Sequence, residues 1–185
     1  MKQLNGKKVA ILAADGFEQS ELEQPKEALE AAGAQTFIIS PSGANVKGWQ
    51  HTEWGDEFPV DVKLDDAVPE DYDALLLPGG VMNPDKLRIN DKALAIVKAF
   101  VESGKVVAAI CHAPWLLVET GAVKDREVTS FVSIRTDVIN AGGRWVDKQV
   151  ATEDGIITSR HPGDIDAFVA KIIEEVEEGE HRRAA

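Results

Sequence analysis

Apolar residues in this chain follow two alternating patterns. Continuous runs at residues 9–13, 36–39, 75–77 and 106–110 are as short as strands and show no polar alternation. That is the pattern of strands covered on both faces. Elsewhere the apolar positions recur every three or four residues. Leu22, Leu29 and Ala32 share one face of a helix predicted from Glu18 to Ala32. Pro25 inside it should bend it or begin its regular part, and Gly33 stops it. Ala93, Leu94, Ile96, Val97, Phe100 and Val101 mark another helix, ended by Gly104. Ile165, Phe168, Val169, Ile172, Ile173 and Val176 give the clearest helical period. Residues 41–72 break the alternation. They are rich in glycine, tryptophan and acids, as in Gly48-Trp49-Gln50-His51-Thr52-Glu53-Trp54, and predict short antiparallel strands and loops. The charged tail from Glu174 to Ala185 is expected to fray.

Doubly covered strands alternating with helices predict an α/β fold, a mostly parallel sheet with helices on both faces. Ligands of such sheets bind beyond the carboxyl ends of the strands. Three segments fall at such ends: Asp15-Gly16-Phe17-Glu18, Pro78-Gly79-Gly80 and Cys111-His112. They can therefore converge on one pocket. The 185 residues suffice for one well-cored domain, and no linker or repeat divides them, so a single domain over 1–185 is expected.

Charge and cysteine usage narrow the function. The net charge is -12 with a pI of about 4.8. No basic stripe is visible, so a groove that tracks phosphates is not expected. One cysteine among 185 residues excludes an internal disulfide and fits a reducing compartment. The polar start of the chain lacks the apolar region of a signal peptide, and no apolar run approaches bilayer-spanning length. A cytoplasmic protein without membrane contact is the expectation.

Cys111 carries the chemistry. It follows an apolar strand and precedes Pro114-Trp115-Leu116-Leu117, so it sits on a sharp strand-to-helix turn flanked by the small residues Ala109 and Ala113. A turn of this kind holds a nucleophile clear of the backbone, and a helix start lowers a thiol pKa; the alternative is a small buried hydrophobe. Glu18 is either a solvated first-turn acid or a carboxyl facing the sulfur, in which case the two acids would share a proton. The His112 ring is a possible base, and its N–H is half of a possible oxyanion hole; Gly79 and Gly80 could supply the other half. Asp85 and Asp91 could orient a histidine or merely cap a helix. His51, Glu53, Asp56 and Glu57 match no zinc or calcium spacing, and His161 reads as a loop residue ahead of the last helix. No metal and no cofactor are expected.

Taken in order, Ala13-Ala14-Asp15-Gly16-Phe17-Glu18, Leu77-Pro78-Gly79-Gly80, Ala109-Ile110-Cys111-His112-Ala113-Pro114, Thr129-Ser130-Phe131, Asn140-Ala141-Gly142-Gly143 and Thr158-Ser159-Arg160 resemble the ThiJ/PfpI superfamily of the class I glutamine-amidotransferase-like fold, and within it the PfpI-type branch. The resemblance covers nearly the whole chain. It implies a flavodoxin-like three-layer sandwich, with Cys111 on a nucleophile elbow, Glu18 bonded to the sulfur and His112 beside it. It also implies a homodimer or hexamer in which an acid from a neighbouring subunit completes the triad. Asp85 matches that acid by position, one methylene shorter than the glutamate typical there. Phe131 stands where tyrosine or tryptophan is common, and Ala113 where glycine is common.

Members of the superfamily are described as peptidases, glutathione-independent glyoxalases and deglycases. The resemblance therefore implies a cysteine-dependent stress enzyme acting on reactive carbonyls or early glycation adducts. The alternatives are an intracellular peptidase and a redox sensor or chaperone using an oxidisable Cys111. A glutaminase would need a distal His-Pro-Glu, whereas His161-Pro162 is followed here by Gly163.

Overall fold

The computed structural model describes residues 3–181. Walking the chain, β1 (Lys8–Leu12) leads through the short β2 (Phe17–Glu18) into α1 (Gln19–Ala31), and β3 (Gln35–Ser40) returns alongside β1. A hairpin of β4 (Asn45–Gln50) and β5 (Glu53–Pro59) follows, then β6 (Val62–Lys63) and β7 (Ala74–Leu77). After α2 (Met82–Leu87) and α3 (Asp91–Ser103), β8 (Val106–Ile110) precedes α4 (Pro114–Glu119). The remainder comprises β9 (Glu127–Val128), α5 (Arg135–Asn140), β10 (Arg144–Trp145), β11 (Val150–Glu153), β12 (Ile156–Ser159) and α6 (Ile165–Glu178).

Seven strands form the main sheet in the order β11-β12-β8-β7-β1-β3-β6. Only β11 runs antiparallel to its neighbour; the other pairs are parallel. Because successive side chains alternate faces, each central strand feeds two cores. Ala10, Leu12, Leu75, Leu77, Val107 and Ala109 join Val97, Phe100, Leu116 and Leu117 of α3 and α4. Val9, Ile11, Leu76, Ala108 and Ile110 meet Leu22 and Leu29 of α1 and Phe168, Ile172 and Val176 of α6 on the other side. This is the expected three-layer α/β sandwich. The acidic segment also behaves as expected, with β4 and β5 antiparallel and joined to β2 in a small side sheet.

Two local expectations change. Pro25 does not begin α1, which starts at Gln19 and runs through it with Pro25 buried; the missing N–H leaves the Glu21 carbonyl without its i+4 donor. The tail does not fray from Glu174. α6 continues to Glu178, and the His181 N–H donates to the Gly104 carbonyl at 2.8 Å. Residues 182–185 lie outside the described residues. At the other end of α3, Asn90 caps two N–H groups at 3.1 Å, and Gly104 takes the left-handed conformation (φ 79°) that ends the helix. Among the described residues, no helix is long and apolar enough to cross a membrane.

Candidate active site

The sheet register aligns the strand ends that build the site. Leu77 pairs with Ala109, and Ile110 with Ser159, so Pro78, Cys111 and Arg160 emerge side by side. Cys111 has φ 64°, the left-handed region that costs a residue with a Cβ about 1–2 kcal/mol. Its backbone is held there by its neighbours. The Cys111 N–H donates to the Ser159 carbonyl at 3.0 Å, the Cys111 carbonyl accepts from the Phe131 N–H at 2.8 Å, and the Ala113 N–H turns back to the Ile110 carbonyl at 3.0 Å. Pro114 then opens α4, where its missing N–H costs nothing. The result is a sharp strand-to-helix elbow with the sulfur at its tip.

The diglycine meets this elbow closely. A Cβ on Gly79 would lie 2.6 Å from Glu21 Oε2 and 2.7 Å from Cys111 Cβ. One on Gly80 (φ 72°) would lie 2.6 Å from the Glu18 nitrogen and 2.7 Å from the Gly16 carbonyl oxygen. Asn83, fully buried, laces these segments together. Its Oδ1 accepts from the Ala14 N–H at 2.7 Å, and its Nδ2 donates to the carbonyls of Pro78 at 2.8 Å and Gly79 at 3.1 Å.

The carboxyl group that meets the thiol is Glu21, three residues beyond Glu18. Glu18 belongs to β2, paired with Trp49 in the side sheet, and its Oε1 accepts from Ser20 Oγ at 3.1 Å. Glu21 lies one turn into α1 on the buried face with Leu22, Pro25 and Leu29. Its Oε2 accepts from the Gly79 N–H at 2.9 Å, its carboxyl lies against the Cys111 sulfur, and Oε1 takes no hydrogen bond from a described residue. An acid on the apolar stripe of a helix is the signal that identifies Glu21. Burial, assisted by the nearby Glu18 charge, raises its pKa to about 8 despite the Gly79, Cys111 and Gly80 hydrogen bonds.

The thiol is likewise pushed up. Burial is the main cause, with the Glu21 charge next, while the Gly80 and His112 N–H groups directed at the sulfur pull the other way. Both groups therefore hold their protons more firmly than they would in water, and each raises the cost of ionising the other. When Glu21 holds its proton, the repulsion vanishes and its O–H donates to sulfur, so the thiolate forms most easily beside a neutral Glu21. The lowered thiol pKa expected from the helix start is not found, because burial and the Glu21 charge outweigh it and raise the pKa instead. Of the three amides considered for an oxyanion, those of Gly80 and His112 face the sulfur, whereas that of Gly79 is committed to Glu21.

His112 completes the cluster. Its Nδ1 is 3.1 Å from Cys111 Sγ, and its Nε2 is 2.9 Å from Ser133 Oγ. Phe131 stacks on the ring at 4.8 Å and 23°, and Trp115 meets it edge-on at 5.4 Å. Burial lowers the His112 pKa, so the ring is neutral at physiological pH. Asp85 is exposed on α2 and makes no hydrogen bond or ion pair to His112 among the described residues. Asp91 begins α3 behind the Asn90 cap. His161 caps the turn before α6, its Nδ1 accepting from the Gly163 N–H at 3.1 Å.

A family model described as the DJ-1/PfpI family matches residues 7–175. The chain belongs to the DJ-1/PfpI family. It is 41% identical to Deglycase TK1284 of Thermococcus kodakarensis over 90% of this chain and 97% of that protein. It is 44% identical to General stress protein 18 of Bacillus subtilis over 88% and 94%. The crystal structure of DJ-1beta from Drosophila melanogaster superposes with a TM-score of 0.84 at 28% identity, covering 92% of this chain and 90% of that one. The fold is thus the flavodoxin-like sandwich of this family, as the sequence motifs imply.

Proposed function

We propose that this DJ-1/PfpI protein is a cysteine-dependent enzyme that converts reactive carbonyl compounds or early glycation adducts, with Cys111 as the nucleophile. The observation that carries this reading is the buried Glu21 carboxyl set against the sulfur of an elbow cysteine. A nucleophile with a proton-bearing partner in a confined pocket suits a small aldehyde. Cys111 is only 7% exposed, which favours a small substrate over a folded polypeptide. The relative named as a deglycase supports the same class.

With a 2-oxoaldehyde, the thiolate adds to the aldehyde carbon. A C–S bond forms, and the carbonyl electron pair moves to oxygen, where the Gly80 and His112 N–H groups stabilise it and Glu21 protonates it. The resulting hemithioacetal loses its carbon-bound proton to a base of the site, and a proton returns at the neighbouring carbonyl carbon. Tautomerisation gives a thioester. Water cleaves the thioester to a 2-hydroxy acid and returns the thiol. The whole amounts to addition of one water with no external oxidant or reductant.

The peptidase reading draws on the same 3.1 Å Cys111–His112 contact. It would require an acid on the outer nitrogen of His112, a place the family resemblance gives to an acid from a neighbouring subunit, with Asp85 the match by position.

The test is consumption of methylglyoxal with assay of 2-hydroxy acid. Wild type should be active, and Cys111→Ala should lose at least about 10³-fold in kcat/KM. Equal consumption by Cys111→Ala would overturn the reading. Casein cleavage that disappears in Cys111→Ser would favour the peptidase instead.

A further inference from the structure

We propose a second site on this protein: a divalent metal site of the zinc class, built from Glu175, Glu178 and His181 where α6 ends. One ligand atom from each residue lies within 4.8 Å of the other two. The site is independent of the chemistry at Cys111. Gly104 leads into β8 and Gly155 into β12, a parallel pair, and His181 rests against both glycines. The cluster therefore sits at the amino ends of these strands, whereas Cys111 and Arg160 follow their carboxyl ends.

The fold prepares a place for the imidazole. Gly179 ends α6 at φ 100°, and the His181 N–H then donates to the Gly104 carbonyl at 2.8 Å. A Cβ on Gly155 would lie 2.6 Å from Cδ2 and 2.9 Å from Cγ of the ring, so it is the missing side chain that admits the ring. Seated there, Nε2 is closed off from solvent and makes no hydrogen bond with a described residue. Glu175 Oε2 is 2.9 Å away, yet the N–H direction of the ring misses it. A ring nitrogen buried without a hydrogen bond is costly, and a bound metal ion would use its lone pair.

The carboxylates suit the same ion. Glu175 is buried and its two oxygens are divided: Lys171 Nζ holds Oε1 at 2.6 Å, which leaves Oε2 on the ring side. Glu178, three residues on along the same helix face, is exposed and free to close on the ion by rotating its side chain. The cleft they share, about 490 Å³, is rimmed also by Glu153, Asp154, Glu180 and Lys171. Acids remain in excess there even with Arg144 on Glu153 and Arg126 beside Asp154, which favours a cation. One imidazole nitrogen and two carboxylate oxygens, with water in the fourth place, make a tetrahedral zinc donor set. Calcium and magnesium take oxygen ligands instead. Bound here, the ion would tie the end of α6 to the turns that enter β8 and β12.

The experiment is a Zn²⁺ titration of the full chain against a chromophoric chelator. It is run in a Cys111→Ser parent, because the thiol beside His112 would itself take zinc. The parent should saturate at one ion per chain. His181→Gln and Glu178→Gln, each added to that parent, should weaken binding at least about 10-fold, no less than the loss of a residue that only supports a ligand. His181→Gln removes the ring without adding or removing a carboxylate, so its effect reports ligation rather than surface charge. Zinc should also raise the thermal midpoint of the parent and leave that of His181→Gln unchanged. No stoichiometric binding, or an affinity unchanged in either variant, would overturn the proposal. So would an equal rise in midpoint with and without His181, or displacement of zinc by an equal concentration of calcium, since carboxylates alone would then hold the ion.

Discussion

The proton on Glu21 governs the pocket at the residue scale. A carboxyl buried without a cation is tolerable only in its neutral form, and this one ionises at about 8 against an ordinary value of 4.5. Between those values the folded protein binds a proton that the unfolded chain has released. The stabilising effect of that proton is complete below about 4.5, declines as pH rises, and is gone above about 8. Each pKa unit corresponds to about 1.4 kcal/mol, so a few kcal/mol are at stake, part of them shared with Cys111. Urea denaturation of wild type and Glu21→Gln at pH 5 and pH 8.5 should show the variant gaining relative to wild type at the higher pH. Parallel pH dependences would contradict the buried proton. Glu21→Gln also preserves a neutral hydrogen-bond donor beside the sulfur, so Cys111 should remain alkylatable at pH 7, whereas Glu21→Ala should slow alkylation about 10-fold or more by removing the donor.

At the scale of elements, the turn from β7 into α2 is where tolerance ends. Gly80 lies at positive φ, and a methyl group there would strike backbone atoms of residues 16 and 18, which cannot rotate aside as a side chain could. Gly80→Ala should cost about 2 kcal/mol or more, read as a lower denaturant midpoint, and should slow Cys111 alkylation because the amide facing the sulfur is displaced. Asn83→Ala removes three buried hydrogen bonds at once and should destabilise by about 2–4 kcal/mol; a midpoint within error of wild type would show that these bonds are not needed to hold the strand ends together.

Those two residues also mark how far the sequence could be read. Periodicity located β1, β3, β7 and β8 with α1, α3 and α6 because both faces of the sheet are apolar, though not β11, β12 or α5, and topology brought the diglycine to Cys111. Glu18 follows the turn after the first strand and is the acid the sequence offers there, but it belongs to the side sheet, paired with Trp49. Choosing Glu21 requires the rotation of α1, which the 22, 25 and 29 stripe does encode. Asn83 and Ser133 leave no periodic trace. Each acts through contacts to segments distant in the chain, Ala14 for one and His112 for the other, and only the packed structure shows them.

For the whole molecule, the relevant quantity is the field at the mouth of the site. The chain carries 20 basic and 32 acidic residues. Two arginines at this end do little to offset them, since Arg88 pairs with Glu119 at 2.6 Å and Arg160 with Asp147 and Asp164 at 2.6 and 2.8 Å. An anionic aldehyde therefore approaches against the net charge, and a neutral one does not. Screening should separate them, because the Debye length shrinks from about 30 Å at about 0.01 M salt to about 8 Å at about 0.15 M. Over that range kcat/KM for glyoxylate should rise several-fold while that for methylglyoxal stays nearly constant. Salt series for both substrates, with Cys111→Ala as the blank, make the comparison. An equal response of the two substrates would mean that the charge of the molecule does not reach the cysteine, and that selection among carbonyl compounds is made by contacts inside the pocket.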